Sequence, residues 1–189
     1  MLFVYNRPEH LKQTMETLQN NTLAAESKLY IYSDAARKDT DEAAVAEVRN
    51  YIHKITGFKS ITLIEREKNW GLARNIIDGV TTQVNRFGRV IVMEDDLITA
   101  PYFLQFMNDA LETYKDEPRV GHIQACDFTN DPSLPDTFLI KFTGSWGGLL
   151  GTEHGNISIP TGKSCSANWK NVTSHGDLTS TGIILSREC

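Results

Sequence analysis

The chain contains few cysteines: Cys126, Cys165 and Cys189 are the only three among its 189 residues. An odd number in a chain of this length does not build a disulfide scaffold and favours a reducing compartment. Apolar stretches are also short. None approaches the roughly 18 residues that span a bilayer, and the start of the chain lacks a signal-peptide pattern. We therefore expect a cytoplasmic protein without a transmembrane segment, for which peripheral association with a membrane stays open.

Basic residues are outnumbered: 19 Lys and Arg face 24 Asp and Glu, for a formal net charge of -5, and no run of Lys or Arg occurs. A general nucleic-acid binder carries a basic patch, so we exclude nucleic acid as a partner. Hydrophobic residues at 40% and charged residues at 23% are ordinary for a globular protein. The length suits one domain, so we predict a single unit over residues 1–189.

Several common catalytic motifs are missing from the sequence. It has no GxGxxG and no GxSxG pattern. Gly162-Lys163-Ser164 resembles the end of a Walker A loop, but Ile157 stands where that loop requires a glycine. His154, Cys165 and His175 are too far apart for a zinc spacing. A P-loop, a dinucleotide fold, an α/β-hydrolase and a zinc site are therefore not predicted.

What is present is an alternation of short apolar runs and helical patterns. The runs at 2–5, 29–32, 61–64, 90–93 and 120–125 predict strands, and the run at 90–93 is expected to be buried on both faces. Apolar residues three and four apart predict four helices, with inner faces at Leu11, Met15 and Leu18; Val45, Val48, Ile52 and Ile55; Leu72, Ile76, Val80, Val84 and Phe87; and Phe103, Phe106, Met107, Ala110 and Tyr114.

The order of these elements predicts the fold class. Strands that alternate with helices indicate an α/β fold, a mainly parallel sheet with helices on both faces, up to about residue 125. Gly57 and Gly88 are predicted to end the second and third helices. Eight of the thirteen glycines lie between Gly144 and Gly182, which predicts an irregular C-terminal part with loops and short antiparallel strands.

Polar residues follow the predicted strands, where ligands bind in open α/β sheets. Glu94-Asp95-Asp96 follows the most apolar strand. Three adjacent acids at the end of a buried strand repel one another unless a cation lies near, and oxygen ligands favour Mg²⁺ or Mn²⁺. The alternative is a helix cap with solvated charges.

The other strand ends carry further candidates, each with an ordinary structural alternative. Arg7, beside Asn6, suits a phosphate or an ion pair with Glu9. Asp34 suits a nucleobase or a simple turn. Asn69, after the third strand, is a further candidate. Arg74 could contact an anion or pair with Glu67 or Asp78. Trp146 could stack on a sugar or belong to the core.

With these residues in place, the chain resembles glycosyltransferases of the GT-A fold, namely bacterial sugar transferases of family 2 related to N-acetylglucosaminyltransferase I. The resemblance is carried by the order and spacing of several motifs, namely Phe3-Val4-Tyr5-Asn6-Arg7-Pro8-Glu9-His10, Tyr32-Ser33-Asp34, Lys68-Asn69-Trp70-Gly71-Leu72-Ala73-Arg74-Asn75, Val90-Ile91-Val92-Met93-Glu94-Asp95-Asp96-Leu97, Ala100-Pro101-Tyr102-Phe103 and Ser145-Trp146-Gly147. It covers most of residues 1–151 and continues weakly to the end.

The resemblance implies a nucleotide-diphosphate-sugar donor, with a UDP-sugar favoured, and Mn²⁺ or Mg²⁺ as cofactor. It assigns 1–125 to the donor half and 126–189 to an acceptor half that meets a glycan or lipid-linked acceptor during cell-surface polysaccharide assembly. Asp96 would bind the metal, Asp95 would face the sugar and Glu94 the ribose. The remaining donor-site positions are Arg7 at the diphosphate or nucleoside, with Asn6 beside it, Asp34 at the base, Asn69 and Arg74 in the nucleotide pocket, and Trp146.

The chain departs from the family after Ser145-Trp146-Gly147, where the family has a longer segment that contains the catalytic base. We therefore expect an incomplete acceptor half, with Asp177 as the first candidate for the base and Glu153 as the second. Most of the resembled enzymes invert the sugar by direct displacement.

Two other functions stay open at this stage. A sugar nucleotidyltransferase would carry a glycine-rich, basic loop after the first strand, and Asn6-Arg7-Pro8 is not one. A catalytically silent nucleotide- or sugar-binding module would keep the donor site and lack the base.

Overall fold

A computed structural model describes residues 1–117, 120–125, 137–140, 148–151 and 182–186. Within them the helices are α1 (Pro8–Gln19), α2 (Glu42–Ile52), α3 (Leu72–Phe87) and α4 (Phe103–Thr113). The strands are β1 (Leu2–Val4), β2 (Lys28–Ser33), β3 (Ser60–Glu65), β4 (Arg89–Glu94), β5 (Val120–Gln124), β6 (Thr137–Ile140), β7 (Gly148–Gly151) and β8 (Gly182–Ser186). The predicted alternation up to residue 125 is confirmed.

The strands form one mixed sheet in the order β3-β2-β1-β4-β7-β5-β8-β6. The first four are mutually parallel, and β5 is parallel to β8. Strand β7 runs antiparallel to both β4 and β5, and β6 runs antiparallel to β8. The mainly parallel sheet and the short antiparallel strands after residue 125 are therefore confirmed. The insertion of β7 between β4 and β5 was not predicted.

Helices cover both faces of the parallel strands. Neighbouring side chains of β1 point to opposite sides of the sheet, and the apolar side chains on each side are buried by helices. Leu2 and Val4 belong to one buried cluster, which also holds the inner residues of α1, α2 and α4. Phe3 belongs to a second buried cluster with Val80 and Val84 of α3. Helix α3 therefore lies on one face of the sheet and the other three helices lie on the opposite face.

Two predictions about helix ends had different outcomes. Gly88 ends α3 in the left-handed conformation, at φ 78°, and its N–H donates to Val84, as predicted. Helix α2, however, ends at Ile52, and Gly57 lies five residues further on in a separate turn. The prediction that Gly57 ends α2 is wrong, since the helix ends at Ile52, and Ile55 is buried although it lies outside the helix.

The inner face of α3 differs from the predicted apolar stripe. Leu72 is 57% exposed and Phe87 is 40% exposed, whereas Gln83 is buried and donates to the Tyr32 hydroxyl at 2.7 Å. A side chain on Gly79 would begin 2.9 Å from the Phe3 ring, so the helix approaches the sheet closely at its middle. Both ends of the stripe lie beyond this contact and stay accessible to solvent.

Two further observations complete the fold. Strand β4 is less buried than predicted: Met93 is buried, while Val90, Ile91 and Val92 are only partly so. None of the helices in the described parts of the chain is long and apolar enough to cross a membrane.

Candidate active site

Arg7 joins the ends of two neighbouring parallel strands. It follows β1, and the acidic triplet Glu94-Asp95-Asp96 follows β4, which pairs with β1 through Phe3 and Glu94. Its Nη1 donates to Asp96 Oδ2 at 2.9 Å, and its Nη2 donates to Asp95 Oδ1. The predicted alternative, a pair between Arg7 and Glu9, does not form, because Glu9 accepts from Lys12 instead. One guanidinium therefore holds two carboxylates of the triplet.

The two carboxylates lie in different surroundings. The Asp95 side chain is 3% exposed, whereas those of Asp96 and Arg7 are 41% and 42% exposed. Burial raises the pKa of Asp95, and this effect is opposed by Arg7 and by a hydrogen bond from the Tyr5 backbone. Asp95 is thus the fixed member of the pair, and Asp96 is the member that solvent and ligands can reach.

The charges of this cluster influence one another. Burial raises the pKa of Glu94, and the nearby carboxylates of Asp96 and Asp95 raise it further. Burial lowers the pKa of Arg7, but the facing Asp95 and Asp96 more than offset this, so that its pKa lies above its ordinary value. The cluster holds three acids and one base, so it has capacity for an additional cation.

Helix α1 fixes the turn that carries the triplet. The buried Thr14 hydroxyl donates to the Asp95 carbonyl at 2.9 Å. Further along, the buried Asn21 donates to Thr99 Oγ1 at 3.1 Å and accepts the Leu104 N–H at 2.9 Å. The segment between β4 and α4 is therefore attached at one end to α1 and at the other to Asn21, just after α1.

Asp34 organises a second cluster at the end of β2. Its Oδ1 accepts the N–H groups of Ala35 and Trp70, and its Oδ2 accepts the N–H of Gly71, each at 2.9 Å. Asn69 donates to the Ala35 carbonyl at 2.7 Å. These bonds fix the segment before α3 against the end of β2. Gly71 takes φ 74° there, a conformation that side-chain-bearing residues rarely adopt.

Two arginines lie against the Trp70 ring. The guanidinium carbon of Arg66 is 3.8 Å from the ring centroid and that of Arg74 is 4.2 Å from it, both within cation–π range. Arg66 also donates to Asn75 Oδ1 at 2.9 Å and pairs with Asp78. Arg74 therefore contacts Trp70. Asp78, which was one of the two partners predicted for Arg74, pairs with Arg66 instead.

Asn6 lies between the two clusters. Its amide donates to Asp41 Oδ1 at 3.2 Å, and the Tyr5 hydroxyl donates to Asp41 Oδ2 at 2.9 Å. Because β3, β2, β1 and β4 are neighbours in that order, all these groups stand at one edge of the sheet, across about three strand spacings of roughly 4.8 Å.

The structure thus brings together eight of the predicted site residues at this edge: Asn6, Arg7, Asp34, Asn69, Arg74, Glu94, Asp95 and Asp96. Trp146, Glu153 and Asp177 lie outside the described residues. The sequence analysis missed Thr14, Asp41, Trp70 and Arg66 as site residues. Of these four, only Trp70 and Arg66 could have been predicted from the sequence, since an arginine lies four positions before Trp70 and another four positions after it.

A cavity of about 400 Å³ opens at the opposite edge of the sheet, where β2, β3 and β4 begin, near Lys28, Lys59 and Arg89. Neither the triplet nor Asp34 lines it, so we do not assign the predicted donor to it.

The residues of the triplet fit a divalent cation that takes part of its coordination from a ligand. Within the described ranges, no three His, Cys, Asp or Glu side chains are grouped so that they could hold a metal ion by themselves. Asp96 offers an accessible carboxylate, which suits Mg²⁺ or Mn²⁺ with further oxygens from a diphosphate and water.

One family profile and several solved structures match the chain. The profile of the family described as Glycosyl transferase family 2 matches residues 1–167. Among solved structures, the mannosyltransferase PcManGT from Pyrobaculum calidifontis, in complex with GDP-Man and Mn²⁺, is 15% identical over 66% of this chain and 34% of its own, with a TM-score of 0.48. TarS from S. aureus is 11% identical over 71% of this chain and 22% of its own, with a TM-score of 0.46. No curated protein sequence matches.

The chain covers 34% and 22% of these two solved chains, so it spans about a third of their length or less. The family match, in contrast, extends over most of the chain and includes both clusters of the site. Together with the parallel sheet, it identifies the predicted GT-A-like α/β fold. The chain belongs to glycosyl transferase family 2.

Proposed function

We propose that this domain is a metal-dependent glycosyltransferase that moves a sugar from a nucleotide-diphosphate-sugar donor to a glycan or lipid-linked acceptor. The observation that carries the proposal is the pairing of Arg7 with Asp95 and Asp96 at the carboxyl edge of the parallel strands. Binding at this edge is the general rule for open α/β sheets, and the cluster offers both a cationic group for phosphate and carboxylates for a metal.

The nucleoside end of the donor is assigned to the Asp34 cluster. Asn69, Arg74 and Trp70 surround this segment, and the guanidinium groups of Arg66 and Arg74 lie against the Trp70 ring. Asp34 already accepts three backbone N–H groups. Its contact with the base would therefore use the one remaining lone pair, on Oδ2. A UDP-sugar is the donor that we favour.

The diphosphate and sugar are assigned to the triplet and its neighbours. Asp96 would hold the metal because it is the accessible carboxylate, and Arg7 and Asn6 would meet the diphosphate. Glu94 would face the ribose and Asp95 the sugar. When bound, Mn²⁺ or Mg²⁺ supplies charge neutralisation on the departing diphosphate. Arg7 adds a fixed positive charge on the same side.

The acceptor side of the proposal rests on the sequence. Asp177 is the first candidate for the base that takes the proton of the acceptor hydroxyl, Glu153 is the second, and direct displacement with one base inverts the sugar. Trp146 would stack on a sugar face. We place the reaction in cell-surface polysaccharide assembly, in the cytoplasm or at the inner face of the membrane. The relation to N-acetylglucosaminyltransferase I remains a prediction.

The proposal is tested by measuring the melting temperature with a panel of nucleoside diphosphates and sugar nucleotides, with and without Mn²⁺. A ligand that binds the native state raises the melting temperature by mass action, so we expect a manganese-dependent rise with one nucleotide. Single-turnover product analysis with that donor then separates the possible activities. Tight donor binding without hydrolysis or transfer would identify a silent binding module, and no rise with any nucleotide would contradict the donor site.

A further inference from the structure

The Arg7 contact to the triplet is divided between a fixed and an accessible partner. Asp95 is buried, so its contact with Arg7 is shielded from solvent. The contact to Asp96 joins two side chains that are each about two-fifths exposed. Exposed ion pairs are weak and are readily replaced, whereas buried ones are not. The two halves of the Arg7 contact therefore differ in how easily they break.

We propose that Arg7 is the built-in counter-cation of the metal-free site, and that Asp96 exchanges the Arg7 guanidinium for a divalent cation on loading. This inference rests on the proposed function, since it concerns the same metal. Arg7 Nη1 donates to Asp96 Oδ2, so the guanidinium engages one oxygen of the carboxylate that we assign to the metal. The guanidinium would keep its contact with Asp95 through Nη2 and release Nη1.

The exchange would couple metal and diphosphate. Once released from Asp96, Nη1 is a free donor next to the place that we assign to the diphosphate, and a guanidinium readily binds phosphate oxygens. A diphosphate that attracts Nη1 also frees Asp96 for the cation. Arg7 is thus a positioning residue that disfavours the metal without a donor and favours the two together.

The test measures Mn²⁺ binding in the absence of nucleotide, by electron paramagnetic resonance of free Mn²⁺. It compares the wild type with Arg7→Met, Arg7→Lys and the control Arg37→Met. The control removes the same charge from an exposed side chain outside the triplet. We expect Arg7→Met to bind Mn²⁺ more tightly, by up to about five-fold, which is the upper limit of what an exposed ion pair contributes. Arg7→Lys and Arg37→Met should stay close to the wild type.

Unchanged or weaker Mn²⁺ binding by Arg7→Met would overturn the inference alone, because the metal site itself would still be present. Absence of Mn²⁺ binding by all the proteins, even with UDP or GDP added, would instead overturn the metal dependence in the proposed function. Arg7→Met should also melt at a lower temperature without metal, because buried Asp95 loses its cation. Added Mn²⁺ should restore part of this loss in melting temperature.

A second measurement uses the wild type, so the inference can be tested even if Arg7→Met does not fold. Titration with Mg²⁺ is followed through the ¹⁵N signals of the Arg7 side chain, assigned by their loss in Arg7→Lys. We expect these signals to move with the same saturation as the Mg²⁺ binding isotherm. Signals that stay in place while Mg²⁺ saturates the site would overturn the exchange.

Discussion

Asp34 Oδ2 accepts the backbone N–H of Gly71 at 2.9 Å, which ties the end of β2 to the residue before α3. With Oδ1 bound to the Trp70 N–H, one carboxylate fixes two successive backbone groups of the nucleoside-side segment. A residue predicted from its place in the sequence to contact a base is therefore also the residue that fixes the segment before α3.

Replacement of Asp34 by Asn tests this structural role. The substitution puts an NH₂ group where one of the accepting oxygens stood, so one backbone N–H loses its partner. Since Asp34 is 5% exposed, we expect a loss of about 2–3 kcal/mol in the free energy of unfolding, measured by urea denaturation. Asp116→Asn, at an exposed position, is the control and should cost less than about 0.5 kcal/mol. Equal stability of the two variants would show that the Asp34 bonds contribute little.

Arg66 and Arg74 contact the same ring but should respond differently to replacement by Met. Arg66 is 12% exposed and satisfies the buried Asn75, so Arg66→Met should lower the free energy of unfolding by about 2 kcal/mol or more. Arg74 is exposed, and its cation–π contact is worth about 1 kcal/mol at most. Arg74→Met should instead weaken nucleotide binding in calorimetric titrations. The reverse pattern would place Arg66 in the donor site and Arg74 in the scaffold.

Because of His122 in β5, we expect the free energy of unfolding to fall at acidic pH. It is 5% exposed, and within the described parts of the chain neither ring nitrogen has a hydrogen-bond partner. Burial lowers its pKa from 6.5 to about 4, so between these values the unfolded chain binds the proton and the folded protein does not. Stability therefore falls as the pH falls from about 6.5 towards 4.

Between pH 7.5 and pH 5, this histidine should cost the fold about 2 kcal/mol, measured by urea denaturation at both pH values. His122→Leu should lose that part of the pH dependence. His10→Leu, on the exposed side of α1, is the control and should keep it. A pH dependence that is the same in His122→Leu and the wild type would contradict the assignment.

Thr14 should influence metal binding, although its side chain is buried below the acidic triplet. Thr14→Val keeps the shape of the side chain and removes the hydrogen bond to the Asp95 carbonyl. We expect a loss of about 1–3 kcal/mol in the free energy of unfolding and weaker Mn²⁺ binding in the presence of nucleotide. Thr82→Val, at an exposed position of α3, serves as the control. Unaltered Mn²⁺ binding in a destabilised Thr14→Val would limit Thr14 to the fold.

The sequence predicted those features of the fold that depend on local pattern. The period of Leu11, Met15 and Leu18 indicates which side of α1 is buried, and these residues are buried. Strand β7 was not predictable in this way. Its pairing with β4 joins Val90 to Leu150 across sixty residues, and hydrophobic period carries no information about the partner of a strand. The exposed ends of α3 were missed because the closest approach to the sheet is set by Gly79, which the apolar stripe does not include.

The candidate site was predictable to the extent that it follows from strand ends. The rule that parallel strands end at one edge brings Arg7 and Asp95 together, and they are in contact. The rule does not select partners among nearby charges. For that reason the pair of Arg7 with Glu9 was an equally good prediction, and the contact of Arg74 with Trp70 was missed.

The central claim is that Asp96 binds the metal that holds the donor diphosphate. Its most direct test is calorimetric binding of the nucleotide selected by the melting panel, with Mn²⁺ and with EDTA, to the wild type and Asp96→Asn. In the wild type, Mn²⁺ should tighten binding by at least about ten-fold. In Asp96→Asn this gain should vanish, while the melting temperature without ligand stays close to that of the wild type, because Asp96 is exposed. A manganese dependence that persists in Asp96→Asn would contradict the account.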